Sequence, residues 1–203
     1  MADFLTAYRL VLGIEGGYVD HPADRGSETY KGVSRRWHPS WPGWRRIDSF
    51  KGKPNWQKQL DQDLWLQGQV EQFYRSQFYD RIGGDEIADQ ALVNELFDIA
   101  VNLDPTRAVT FLQRAITALW RHVPPSADDT LLGRDVNTPV TIDGRFGSQT
   151  ADALTACLAA DPRNEAALLT LLNVQQGAHY LDQLLTYPRQ RAFALGWLTR
   201  VKL

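Results

Sequence analysis

Glu15-Gly16-Gly17-Tyr18-Val19-Asp20, continued by Asp24-Arg25-Gly26-Ser27-Glu28-Thr29-Tyr30-Lys31-Gly32-Val33-Ser34, joins a helical pattern to a hairpin pattern. Upstream, residues 3 to 14 read as a helix, with Phe4, Tyr8 and Val11 at i, i+4 and i+7 and Leu12 beside them. Gly13, Gly16 and Gly17 stand where the helix must stop, a place that favours left-handed backbone. Residues 18 to 34, rich in Gly, Asp, Ser and Thr, read as a short β-hairpin or an irregular loop.

Glu15 lies eleven positions after Phe4, close to three whole helical turns. A helix that runs this far sets Glu15 on the apolar face, in line with Phe4, Tyr8 and Val11. A carboxyl group against an apolar wall is desolvated, which favours its neutral form and raises its pKa. A general acid acting on a glycosidic oxygen needs that state near neutral pH. The plainer alternative is a helix-terminal glutamate that leans into solvent. Three more carboxylates follow, Asp20, Asp24 and Glu28. Glycoside hydrolysis generally needs two carboxyl groups flanking the scissile bond, and a helix end facing a hairpin can present them across a cleft. Each hairpin carboxylate taken alone also suits a turn, where Asp bonds its own backbone.

Working outward, residues 37 to 55 hold Pro39, Pro42, Gly43, Gly52 and Pro54 and read as a long ordered loop. Residues 56 to 79 then read as one helical run without proline, closed by Gly83-Gly84. Residues 86 to 103 carry Ala88, Leu92, Leu96, Ile99 and Leu103 on one face, and Pro105 opens a helix to about 121. A polar, proline-bearing link covers 122 to 140, and helices are expected at 147 to 160, 164 to 186 and 189 to 201. The fold class is therefore mainly α (α+β), with a small N-terminal β-hairpin and a C-terminal helical region. Two parts are expected, 1–92 and 93–203, either as separate domains or packed as one globule.

Composition narrows the function. Of 203 residues, 43% are hydrophobic and 23% charged, enough apolar material for a packed core. The net charge of -2 argues against a nucleic-acid binder, which needs a basic excess for phosphates. The single cysteine, Cys157, allows no intramolecular disulfide and fits synthesis in a reducing compartment. Met1-Ala2-Asp3-Phe4 lacks the features of a signal peptide, so cytoplasmic synthesis is expected. His21, His38, His122 and His179 form no metal-ligand spacing, and no metal or cofactor is expected. Five of seven tryptophans fall between Trp37 and Trp65. Most belong to packing, while one or two in the Trp37 to Trp44 loop suit stacking on sugar rings. Asn94, Asp98 and Asn102 form a polar stripe at i, i+4 and i+8, which reads as a solvated face or as the lining of a glycan groove.

The Glu15-Gly16-Gly17-Tyr18 motif and the Asp24 to Ser34 block resemble the glycoside hydrolase family 108 muramidases, phage endolysins and bacterial muramidases that cut peptidoglycan. Ser27 stands where that family has a second glycine, and Val33 where it has isoleucine. The resemblance implies a lysozyme-like fold and maps the catalytic glutamate onto Glu15. A looser similarity to phage-type lysozymes, a Glu followed nine residues later by an Asp and then a Thr, points to Asp24 and Thr29 as second carboxylate and water-positioning residue. Asp20 stays a rival for the second role. Tyr18, Asp20, Tyr30, Trp44, Asn94 and Asp98 are the expected substrate contacts. Ala108-Val109, Leu112-Gln113 and Ala115, with Ile142-Asp143-Gly144, Phe146-Gly147, Thr150 and Ala153-Leu154, resemble the predicted peptidoglycan domain that accompanies this family. The resemblance implies hydrolysis of the β-1,4 bond between N-acetylmuramic acid and N-acetylglucosamine, action in the periplasm or cell wall, a holin or other export aid, and a monomer. The rivals are a lytic transglycosylase, which needs one acid and no second carboxylate, a non-catalytic wall-binding or secretion-assisting module, and, more weakly, an amidase.

Overall fold

The computed structural model describes residues 2–12, 17–20, 28–120 and 139–201. Glu15, Asp24, Ser27 and most of the expected 122–140 link lie outside the described residues. The chain divides into two compact units: Tyr8–Gln77, and Phe78–Leu203 together with Met1–Ala7. Residues 92 and 93, where the two expected parts meet, lie within one helix, with Leu92, Val93, Leu96 and Phe97 buried.

The first unit begins in α1 (Phe4–Leu12), whose later turns belong to it, and continues into a three-stranded antiparallel sheet. β1 (Tyr18–Val19) pairs with β2 (Thr29–Tyr30), Tyr18 opposite Tyr30 and Val19 opposite Thr29. β2 pairs in turn with β3 (Val33–Ser34). The β2–β3 turn, Lys31-Gly32, has positive φ at both residues (43° and 77°), the requirement of a two-residue hairpin turn that matches strand twist. Gly32 has no alternative: a Cβ there would lie 2.2 Å from the Tyr74 hydroxyl, which donates to the Lys31 carbonyl at 3.0 Å.

The segment expected to be a loop contains α2 (Gly43–Phe50). Pro42 precedes its first turn, where a missing N–H costs nothing, and Trp44 and Ile47 bury one face. Gly43 is the seat of the Trp41 ring, which a Cβ would strike at 2.2 Å. The single run expected over 56–79 is divided. α3 (Trp56–Gln62) stops at Asp63, whose extended backbone and side chain cap α4 (Leu64–Tyr74) by accepting from the Leu66 N–H at 2.9 Å.

The second unit is helical. Beyond a 3₁₀ turn at Asp80–Ile82 ended by Gly83 (φ 68°), it holds α5 (Gln90–Asn102), α6 (Pro105–Leu119), α7 (Ser148–Ala160) and α8 (Asn164–Thr186). A 3₁₀ segment (Pro188–Phe193) leads to the short α9 (Ala194–Leu198). α5, α6 and α8 pack against one another around Leu92, Leu96, Ile99, Leu112, Ile116 and Leu172, all fully buried. Phe4 seals one end, edge-on to Tyr79 at 5.1 Å and to Phe97 at 6.1 Å. The Asp143-Gly144 turn is bolted to α6 by Gln113. Its Oε1 accepts from the Asp143 and Gly144 N–H groups (3.0 and 2.9 Å), and its Nε2 donates to Asp143 Oδ1 (2.9 Å) and the Arg145 carbonyl (3.1 Å). Phe146, just beyond, covers Gly83 so closely that a Cβ there would meet its ring at 2.1 Å. The Asp-Gly-x-Phe-Gly motif is thus a structural turn.

Candidate active site

α1 and β1 bracket the segment that carries Glu15, and β1 and β2 are joined through the segment that carries Asp24. The register Val19 to Thr29 fixes the base of that connection. Asp20 is exposed one residue beyond β1, and Thr29 is half-buried on β2. The sheet therefore holds Asp20 and Thr29 at the two roots of the same hairpin connection.

Glu28, the third hairpin carboxylate, has a different occupation. It is 7% exposed and sits between two cations, Arg35 Nη1 at 2.5 Å and Lys51 Nζ at 2.7 Å. Arg35 also grips Asp48 through both terminal nitrogens, and Lys51 lies 3.3 Å from the same carboxylate. Burial alone would push the Glu28 pKa up. Hydrogen bonds from Lys51, Arg35 and Tyr18 outweigh it and hold the group below the ordinary glutamate value. Tyr18 is pushed up to about 12, first by burial and then by its bond to Glu28. Its ring packs edge-on to Trp56 at 4.7 Å, with Lys51 Nζ 5.7 Å from its centroid. Glu28 is thus a charged rivet joining the hairpin to α2. Sequence reasoning could not see it, because Arg35 stands in a turn and Lys51 closes a helix that proline and glycine density concealed.

Two expected sugar contacts in this unit prove to be core. Tyr30 is fully buried; its hydroxyl accepts from Gln67 at 2.9 Å and donates to Asp61 at 3.3 Å. Trp44 is 2% exposed, donates its indole N–H to the His38 carbonyl at 2.8 Å, and is covered by Arg35 at 5.0 Å. Tyr30 fills the interior and leaves no face for a sugar, while Trp44 packs into the core beneath the groove that it helps to line. The aromatic surface is supplied instead by Trp37 and Trp65, 67% and 50% exposed. Trp65 shares a groove of about 1170 Å³ with Trp41, Arg35, Arg45, Arg46 and Asp48. An open indole ringed by hydrogen-bonding charges matches the apolar faces and hydroxyls of a saccharide.

Asn94 and Asp98 belong to the second unit. Asn94 accepts from Gln90 at 2.8 Å. Asp98 is half-buried, and its carboxylate is engaged within the unit. It pairs with Arg200 at 2.8 Å and accepts from Gln176 at 3.1 Å, which fastens α5 to α8 and to the C-terminal segment. Among the described residues, no three His, Cys, Asp or Glu side chains converge as metal ligands would. Nor is any described helix long and apolar enough to cross a membrane.

Comparison with known proteins agrees with this architecture. Residues 8–103 match the family described as glycosyl hydrolase 108, and residues 107–202 match a predicted peptidoglycan domain. The solved structure of Brucella abortus SagA is similar in fold, with a TM-score of 0.56 at 23% identity over 98% of this chain and 88% of that one. No curated protein matches the chain. The fold is mainly α and lysozyme-like, with its small antiparallel sheet. The chain is a peptidoglycan hydrolase of the glycoside hydrolase class. The first matched segment encloses the Glu15 to Ser34 block and makes residues 8–103 a glycosyl hydrolase 108 region, and the second makes nearly all that follows residue 106 a predicted peptidoglycan domain.

Proposed function

We propose that the enzyme hydrolyses the β-1,4 bond between N-acetylmuramic acid and N-acetylglucosamine, with Glu15 as its acid. Glu15 gives its proton to the bridging oxygen as the bond to the anomeric carbon breaks, and the departing sugar leaves with a new hydroxyl. Asp24 takes a proton from the water that adds to that carbon, and Thr29 orients this water. The observation that carries the reading is the family match across residues 8–103, which spans the Glu-Gly-Gly motif and the whole hairpin. The ion pairs of Glu28 give it support of a second kind. A carboxylate held by two cations is a poor proton carrier, which leaves Asp24 and Asp20 for the second role.

The test is clearance of purified sacculi by the parent chain and by Glu15→Gln, each shown folded by circular dichroism. The parent should clear the suspension and release reducing muramic acid ends, and the variant should do neither. Equal clearance by both would remove Glu15 from the mechanism. Anhydro-muramic products from the parent would make the enzyme a lytic transglycosylase. Binding without clearance by either would make the chain a wall-binding module. Asp24→Asn and Asp20→Asn, compared in the same assay, assign the second carboxylate. We place the enzyme in lysis from within, as an endolysin made in the cytoplasm that reaches the wall through a holin-type pore. Lysis of an expressing culture only on co-expression of a holin checks this.

A further inference from the structure

The longest helix of the second unit, α8, is apolar on two opposite faces. Leu168, Leu172, Gln176 and Tyr180 are buried on the side that meets α5 and α6. The opposite side reads Ala167, Leu171, Val174, Ala178, Leu181 and Leu185. Successive steps of four, three, four, three and four residues make this a strict heptad seam, the spacing with which one helix receives another. Ala167 and Leu171 are half-buried and the other four are exposed, Leu181 by 58% and Leu185 by 66%. Along 23 residues the helix carries no Lys or Arg, and its only carboxylates are Glu165 and Asp182. A solvent-facing helix normally shows charge on its outer face, and depletion of charge marks the centre of an interface.

The C-terminal segment folds back along one flank of this seam. Arg191 Nε donates to the Leu184 carbonyl at 3.2 Å, Trp197 stacks on Tyr180 at 5.3 Å, and Val201 lies against Gly177. It leaves Leu195 83% exposed and Leu198 about half exposed. Val174, Leu181, Leu185, Tyr187, Phe193, Leu195 and Leu198 are the large apolar side chains that α8 and this segment expose. At roughly 100 Å² each they offer about 700 Å² per copy, close to the ~800 Å² that each partner gives to an interface of standard size.

We propose that α8 pairs antiparallel with α8 of a second copy of this chain. The size sequence along the seam argues for that partner and that direction. A two-fold axis between the Val174 and Ala178 layers sets Leu171 against Leu181 of the second copy, Val174 against Ala178, and Ala167 against Leu185. Two of these three layers join a larger side chain to an alanine. A parallel pair would stack Ala178 on Ala178 and Leu181 on Leu181, alternating void with bulge, and would bring the two Asp182 carboxylates level. The monomer expected from sequence gives way on this reading to an isologous dimer. Arg189 and Arg191 near the exposed leucines would also suit an anionic lipid surface. The heptad spacing and the scarcity of charge along α8 favour a helix.

Sedimentation equilibrium of the full chain, from a few micromolar to a few hundred micromolar, tests the dimer. The average mass should climb from 23.0 kDa toward twice that value. Leu181→Glu combined with Leu185→Glu should raise the dissociation constant at least tenfold without changing the circular dichroism spectrum. Orientation is read by oxidative cross-linking of Leu171→Cys and Leu181→Cys, with the parent, whose Cys157 is buried, as control. Mixed together the two variants should cross-link, and each alone should not. A mass that stays monomeric at every concentration overturns the proposal, as does a double Glu variant that dimerises like the parent. Cross-linking of each variant alone overturns the antiparallel arrangement. Salt-sensitive binding of a monomer to phosphatidylglycerol vesicles, lost in the double Glu variant, reassigns the face to a membrane.

Discussion

Replacing Glu28 with Gln keeps the shape of the side chain and removes its charge. In the parent, Glu28 is 9% exposed at its side chain, while its partners Arg35 and Lys51 are about one third exposed. Deleting one member of a fully buried pair costs about 3–5 kcal/mol, and an exposed pair contributes about 0–1 kcal/mol. This pair lies between those limits, because both cations keep Asp48 when the glutamate charge is gone. A loss of about 2 kcal/mol is therefore expected, or roughly 4–8 °C in Tm for a chain of this size. Its pH dependence has a fixed sign. Glu28 titrates below its ordinary value of 4.5 in the folded state, so its contribution is complete above that value. It is lost as pH falls through the depressed folded value, and the gap between parent and variant should close on acidification. Thermal melts at pH 7 and in steps below pH 4.5 measure this. Turnover on sacculi, read well below both melting temperatures, should fall less than tenfold, since Glu28 anchors the hairpin and transfers no proton. A gap that stays constant or widens in acid would refute the electrostatic account. A loss above a hundredfold in a fully folded variant would place Glu28 in the chemistry.

Gln113→Leu should destabilise the second unit by about 2–4 kcal/mol, because the amides of Asp143 and Gly144 lose their acceptor and Thr150 loses a donor. Hydrogen exchange at those two amides, faster in the variant at matched temperature, checks that the loss is local. His179 should titrate below its ordinary value of 6.5, first because it is desolvated and then because Arg107 Nη1 lies 2.7 Å from its Nε2. A depressed histidine binds its proton more readily in the unfolded chain, so its share of stability is whole above pH 6.5 and falls as pH drops toward the folded value. NMR titration of the ring should place its midpoint under 6.5, and Arg107→Gln should move it upward. An unmoved midpoint would detach Arg107 from the effect.

The elements legible in the sequence are those whose signals are local. α6 announces itself by Pro105 in its first turn behind Asp104, which caps it by accepting from the Arg107 N–H at 2.7 Å. α7 and α8 follow from apolar periodicity alone, and their expected limits differ from the observed ones by a residue at most. α2 was concealed because Pro42 and Gly43 read as loop formers, although a proline before the first turn and a small residue under Trp41 are what that helix start requires. The break at Asp63 was concealed for the opposite reason: an apolar run with no proline hides a cap that a single Asp supplies. Glu15 lies outside the described residues, and its place on the apolar face stays an expectation drawn from periodicity. Asn94, Asp98 and Asn102 share one helix at i, i+4 and i+8. What covers it could not be read, because Arg200 lies 102 residues further on.

Tyr30, Trp44 and Asp98, all expected as ligand contacts, share one feature. Each has a polar group that suits sugar hydroxyls, and each spends that group inside its own unit, on Asp61 and Gln67, on the His38 carbonyl, and on Arg200 and Gln176. Residue type says what a side chain can bind. It does not say whether the chain itself has already bound it, and that depends on contacts between residues far apart in sequence. The same rule works in reverse on α8. Its inner seam is satisfied by α5 and α6, while its outer seam has the same helical spacing and stands open at Val174, Ala178, Leu181 and Leu185. Spacing alone makes the two seams equivalent. The fold distinguishes them by covering one, and the uncovered seam is the one for which a partner must be sought.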